Sequence, residues 1–291
     1  MELTQFYAYD LVILVGCLAV PVNVYAFRIL HKYPKIMGGI TCVFHKALAI
    51  TDLMTGFSCI SFCTRIIVKD SPFVVMIITM VTTSFTLSSV LLLGTICLDR
   101  FVAIRHPLLH FVFFTRRKAR IYAASVIMAS CVLMAMHTAL AFDGGANYKL
   151  KEVATGSATD SRRQIMYIVT AILFLLTVTS VTALNIALLI TLLRYSRRQS
   201  FLRSQRVLHA VTPTTKTSVR VAKTVLVMTA VFYIVFIPAI ACMGLVCYGL
   251  EINVLIIHLS FVLMQLHCVL NPFIYLVMNP AFRKVALTTP C

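Results

Sequence analysis

Tryptophan is absent from these 291 residues, and charge is scarce, with 12% of side chains charged and nine of them acidic. Water-soluble domains usually carry about 25% charged residues, so this supply excludes one. No acid occurs between Arg194 and Pro238, and no His-Glu-x-x-His metal pattern occurs anywhere. Tandem repeats and low-complexity linkers are missing too. Ten cysteines are present, but nearly all lie in apolar stretches, where they behave as small hydrophobes. The longest candidate outer loop, 143–163, contains none, which excludes a disulfide from it to a neighbouring helix.

What fills the chain instead is apolar: 60% of residues are hydrophobic. They fall into seven blocks, 6–30, 40–67, 72–104, 119–142, 164–193, 219–247 and 252–278. Each reaches the roughly 20 residues that a bilayer-crossing helix needs. Backbone polar groups in lipid must be satisfied within the segment, so blocks of this length are helices. The expectation is an all-α membrane protein, a seven-transmembrane helix bundle forming one domain over 1–291. No basic region precedes the first block, which therefore reads as a first span and not a removable signal.

The net charge of +17 invites a nucleic-acid reading, but the placement of the charges argues against it. With the amino terminus outside, 20 of the 26 basic residues lie at inward ends and loops. Only Arg65, Lys69, Lys149, Lys151, Arg162 and Arg163 fall outside. Basic residues concentrate on the cytoplasmic side of membrane proteins, which fixes an outer amino terminus and an inner carboxyl terminus.

Asp52, in KALAITDLMTGF, is the one acid in mid-span. A charge at that depth costs about 2.5 to 3.5 kcal/mol on insertion scales. It reads either as a tolerated polar residue facing the bundle or as an ion or proton site. Asn23, Ser89 and Asn271 lie at comparable depth. Singly they suit interhelical packing worth about 0.6 kcal/mol each. Grouped round the carboxylate, they would suit a small hard cation. Pro238 and Pro272 each remove a backbone hydrogen bond inside an apolar helix and are candidate hinges.

The third block ends in LDRFVAIRHPL and the seventh in LNPFIY. Together with seven spans and an outer amino terminus, these resemble the class A, rhodopsin-like G-protein-coupled receptors over essentially the whole chain. Asp99, Arg100 and Phe101 fall on that family's Asp-Arg-Tyr triplet, and Pro107 and Leu108 on the Pro-Leu that follows it. Asn271, Pro272 and Tyr275 match its Asn-Pro-x-x-Tyr; Phe232, Phe236 and Pro238 match its span-six switch. Asn23 matches its span-one asparagine, and Asp52, Ser89 and Asn271 match positions that hold sodium. Residues 279–287 look like its short interfacial eighth helix. The resemblance implies that Arg100, paired with Asp99 at rest, is uncovered for a heterotrimeric G protein when the inner halves of spans five and six swing outward, while Leu108 docks on the G protein.

The pattern departs from the family at several points. Ile127 and Phe236 stand where Trp is usual, span five lacks proline, and Val74, Val75 and Met76 replace the customary span-three cysteine. The missing span-six acid removes one resting ion pair, which implies ligand-independent activity. His267 stands where an asparagine often supports sodium.

At 1.5 Å per residue, Thr82, Thr83 and Thr86 lie about 21 to 27 Å above Arg100, in the outer half where the family binds ligands. Phe236, Ala239, Ile240, Met243, His258, Phe261 and Gln265 belong to the same level. Amine ligands are disfavoured because Thr82 occupies the place of their usual Asp, and retinal because 252–278 contains no lysine. Small neutral or lipid-like molecules or odorants remain, as for an orphan or chemosensory-type receptor at the plasma membrane, with short peptides open through the basic outer loop. No cofactor beyond sodium is implied. The rival reading is a transporter or channel using Asp52; an enzyme is disfavoured because Asp52 has no second mid-span carboxylate. Cys291 reads as a palmitoylation site or as a free thiol.

Overall fold

The computed structural model describes residues 3–61, 72–141, 161–204, 213–247, 250 and 252–288. Every regular element among them is helical. Helix α1 is Leu3–Lys32, followed by a short 3-10 turn, Pro34–Met37, and α2, Thr41–Ser61. The long α3, Pro72–Arg105, leads through a short α4, Pro107–Phe113, into α5, Arg116–Ala141. Then come α6, Ser161–Ser204, and α7, Pro213–Cys247. Helices α8, Val254–Gln265, and α9, His267–Met278, are nearly continuous, and α10, Pro280–Thr288, closes the order.

Proline opens α3, α4, α7 and α10 as well as the 3-10 turn. At a first helical position its missing N–H had no intrahelical partner to lose. Between the 3-10 turn and α2, Gly38 and Gly39 take positive φ values of 80° and 41°, a backbone region that glycine enters without a Cβ penalty.

Packing forms a closed ring. Helix α1 meets α2 and, on its other side, α8 and α9; α7 joins α8 and α9 to α6; and α3 runs through the middle against α2, α5, α6 and α7. Exposure is inverted relative to a water-soluble protein. Leu14, Met128, Leu175, Ile186 and Ile234 point outward at more than half exposed, while Asn23, Asp52, Ser89 and Gln265 are at 2% or less. Lipid accepts the first set and would penalise the second, so the molecule is a helical membrane bundle.

Six stretches are long and apolar enough to cross a membrane: Asp10–Lys32, Met76–Arg105, Arg116–Ala139, Leu175–Arg197, Val219–Cys242 and Leu255–Met278. The described part of α2 is not among them; it runs 21 residues and carries His45, Lys46 and Asp52. Of the expected 40–67 block, residues 62–67 lie outside the described residues.

Two details refine the expected spans. The seventh block runs as Leu255–Met278 with one tighter turn at Leu266 (φ −60°, ψ −20°), whose N–H bonds back three residues to Leu263. The fifth block extends as helix to Ser204, past the apolar limit expected at 193, because the basic run that follows contains no proline or glycine.

Candidate functional site

Helix α2 supplies a line of polar side chains that reaches three separate motifs. Thr41, His45 and Asp52 recur at spacings that place them on one helical face, and all three are fully buried.

At the carboxyl-terminal end of α3, Asp99 is fully buried and Arg100 is 3% exposed. Arg100 donates to Asp99 Oδ2 from Nε at 3.0 Å and from Nη2 at 2.7 Å. Thr41 donates its hydroxyl to the same oxygen at 2.6 Å and accepts from Arg100 Nη2. His110, on α4, places Nε2 2.8 Å from Asp99 Oδ1. A buried carboxylate is tolerable only when paired and hydrogen-bonded, and this one is both. Phe101 is half-buried, Pro107 is exposed, and Leu108 is 81% exposed just beyond the pair. The sequence motif therefore folds into an enclosed guanidinium with a bare apolar side chain next to it.

About three helical turns along α3 from Arg100, toward its amino-terminal end, Asp52 Oδ2 accepts from Asn271 Nδ2 at 2.8 Å, and Ser89 Oγ lies 2.8 Å from Oδ1. His267 turns Nδ1 to the Met264 carbonyl at 2.8 Å and holds Nε2 3.7 Å from Asp52 Oδ1. A cavity of about 10 Å³, the scale of one water molecule, is bordered by Ser89, Met228, Phe232, His267, Leu270 and Asn271. A hard cation takes oxygen ligands. Here Asn271 offers an N–H, Ser89 an O–H and His267 a ring nitrogen, and both carboxylate oxygens already have hydrogen-bond partners. The expected sodium set of Asp52, Ser89 and Asn271 thus converges on one carboxylate, which the other two side chains hydrogen-bond. No group of three or more His, Cys, Asp or Glu suited to a metal occurs among the described residues.

Asn23 acts on the backbone. Pro272 cannot donate to the carbonyl four residues earlier, that of Cys268, and Asn23 Nδ2 donates to that oxygen at 2.8 Å. Beyond the proline, Tyr275 is 1% exposed and sits between two aromatic rings. His45 approaches edge-on at 5.0 Å and 84°, with Nδ1 2.9 Å from the Tyr275 hydroxyl; Phe282 of α10 lies at 5.8 Å.

Toward the outer side, Phe236 stacks on Phe232 at 3.9 Å and meets His267 at 5.4 Å. Pro238 lies within α7 two residues further on. Thr82 is 1% exposed and directs its hydroxyl to Ser58 of α2 and to the Ile78 carbonyl. Thr83 bonds to its own helix. Thr86 and Gln265 differ: both are buried, and neither the Thr86 hydroxyl nor either Gln265 amide atom has a partner among the described residues. His258 is buried, while Phe261, Ala239 and Ile240 are partly so. The side chain of Met243, and all of Cys291, lie outside the described residues.

The structure thus joins Asp99 to Arg100 and Asp52 to Ser89 and Asn271. Sequence reading missed Thr41, His45 and His110. Their signal was the shared face with Asp52 for the first two, and the position of His110 three residues after Pro107.

No individually curated protein matches the chain. The profile of the 7 transmembrane receptor (rhodopsin family) matches residues 22–275, from just before Asn23 to Tyr275. The chain is accordingly a member of the rhodopsin family of seven-transmembrane receptors, a multi-pass signalling receptor and not an enzyme.

Proposed function

We propose that this receptor binds a small neutral, lipid-like or odorant molecule in the outer half of its bundle and activates a heterotrimeric G protein through Arg100. In this reading α2 is the second of seven spans, α10 lies along the inner membrane surface, and the amino terminus is extracellular. The observation that carries it is the burial of Arg100 against Asp99 at the inner end of α3, with Leu108 bare beside it. Outward movement of the inner halves of α6 and α7 frees the guanidinium to meet the G protein. A ligand drives this only by binding the open arrangement better than the closed one.

The unpartnered Thr86 hydroxyl and Gln265 amide support the ligand level. They lie one turn or less outward of Ser89 and His267, two of the polar residues that border the small cavity together with Asn271 and apolar side chains. Burying such groups without partners costs free energy that a hydrogen-bonding ligand would offset.

Nucleotide exchange by Gα subunits, measured with the purified receptor, tests the reading. Exchange above the protein-free rate is expected, and Arg100→Ala should abolish it. If the protein instead passes solute across vesicles and Arg100→Ala leaves that flux intact, a transporter is indicated.

A further inference from the structure

Receptors of this design need something to hold the inner half closed, and this chain carries no acid from Arg194 to Pro238 that could tie α7 to Arg100. Among the described residues, polar contacts reach the switch residues from outside their own helices through α2 and, at Asp99, also through His110 of α4. Thr41 bonds to Asp99, and His45 bonds to Tyr275.

We propose that His45 is a positioning residue that latches the inner end of α9 to α2 through the Tyr275 hydroxyl, and so sets the ligand-independent level of signalling. Tyr275 is reached by His45 on one side and by Phe282 on the other, so its ring fixes both the end of α9 and the start of α10. The tyrosine is 1% exposed, so leaving His45, the one hydrogen-bond partner of its hydroxyl among the described residues, is costly. The imidazole is committed as well: His45 is fully buried, and its Nε2 has no competing partner among the described residues. Any displacement of Tyr275 from α2 must break this bond. Displacement of α9 therefore carries the loss of one buried hydrogen bond, which weights the closed arrangement by roughly threefold to tenfold.

The consequence for signalling rests on the receptor reading above, but the latch can be observed without a G protein. Hydrogen–deuterium exchange of the detergent-solubilised protein over 267–288 is the direct measure. His45→Leu keeps a similar volume and removes the bond; it should speed uptake there and raise basal nucleotide exchange by roughly threefold to tenfold. His45→Asn places an amide where Nδ1 stands and should return both toward wild type. Tyr275→Phe deletes the hydroxyl while keeping the ring against Phe282, and should reproduce the faster uptake even if His45→Leu fails to fold.

Unchanged uptake in both His45→Leu and Tyr275→Phe overturns the latch. So does a His45→Leu protein that melts earlier and signals less, with no recovery in His45→Asn, since that is the behaviour of a residue with packing alone. Faster uptake in a set where no protein, wild type included, drives exchange would uphold the latch and remove the G-protein reading instead.

Discussion

A Cβ added at Gly16 would lie 2.6 Å from the Gly56 carbonyl oxygen and 2.9 Å from Ile60. That oxygen belongs to the backbone of α2 and cannot step aside, so Gly16→Ala must push α1 and α2 apart. Overpacking of this kind costs about 1 to 3 kcal/mol. Gly244, in α7, provides the contrast, because nothing stands within 4 Å of its added carbon. Thermal denaturation in detergent should show a clearly lower midpoint for Gly16→Ala and an unchanged or slightly higher one for Gly244→Ala, where the gain in helix propensity is at most about 1 kcal/mol. Equal midpoints for the two would mean that the close approach of α1 and α2 does not bear on stability. At this scale the sequence was readable wherever a polar group stood alone in apolar surroundings. Asp52, Asn271 and Arg100 announced themselves because lipid leaves them no other home. Thr41, His45 and His110 did not, since each lies near an inner boundary where polar residues are ordinary. The rotation of α2 against α3 and α9 turns the first two inward, and the short α4 brings His110 back to Asp99.

Helices respond to their ends as much as to their faces, and α10 shows it. Asn279 stands before Pro280 with extended backbone, and its Oδ1 accepts from the N–H groups of Ala281 and Phe282 at 3.1 and 3.3 Å. This is an amino-terminal cap on a nine-residue helix that has few other reasons to persist. Asn279→Ala should remove about 1 kcal/mol from that helix and speed deuterium uptake over 280–288 while leaving α5 unaffected. Uptake identical to wild type would show that Phe282 packing alone fixes the segment. Six of the expected apolar blocks return as helices long enough to cross a membrane, legible because hydropathy over 20 residues is a strong signal. The tighter turn at Leu266 was not, because apolar residues flank it on both sides and only Gln265 and His267 hint at it. The helical run beyond 193 was equally hidden, since charged residues end a membrane segment without ending a helix.

For the molecule as a whole, the distribution of 26 basic residues makes a testable statement about orientation. An epitope tag at the amino terminus should stain intact cells, and one at the carboxyl terminus should stain only after permeabilisation. The reverse pattern would place Arg100 on the outer face and end the receptor reading. Fold class followed from composition and block length, whereas the ligand stayed beyond reach because its pocket is assembled from side chains on several helices at once.

The fastening between helices is uneven. Asn23 grips the Cys268 carbonyl, the Tyr25 hydroxyl grips the Ala286 carbonyl, His45 grips Tyr275 and Asp52 grips Asn271, which sews α1, α2, α9 and α10 together. Helix α7 is held to α3 and α6 by fewer such bonds, one between the Tyr233 and Thr182 hydroxyls and a long contact of Thr229 with the Cys97 thiol at 3.8 Å, with apolar surface elsewhere. Surfaces with few stitches can slide. The bundle thus reads as a sewn frame and a looser wing; on the proposed reading a ligand tilts the wing and opens one seam of the frame, that between His45 and Tyr275.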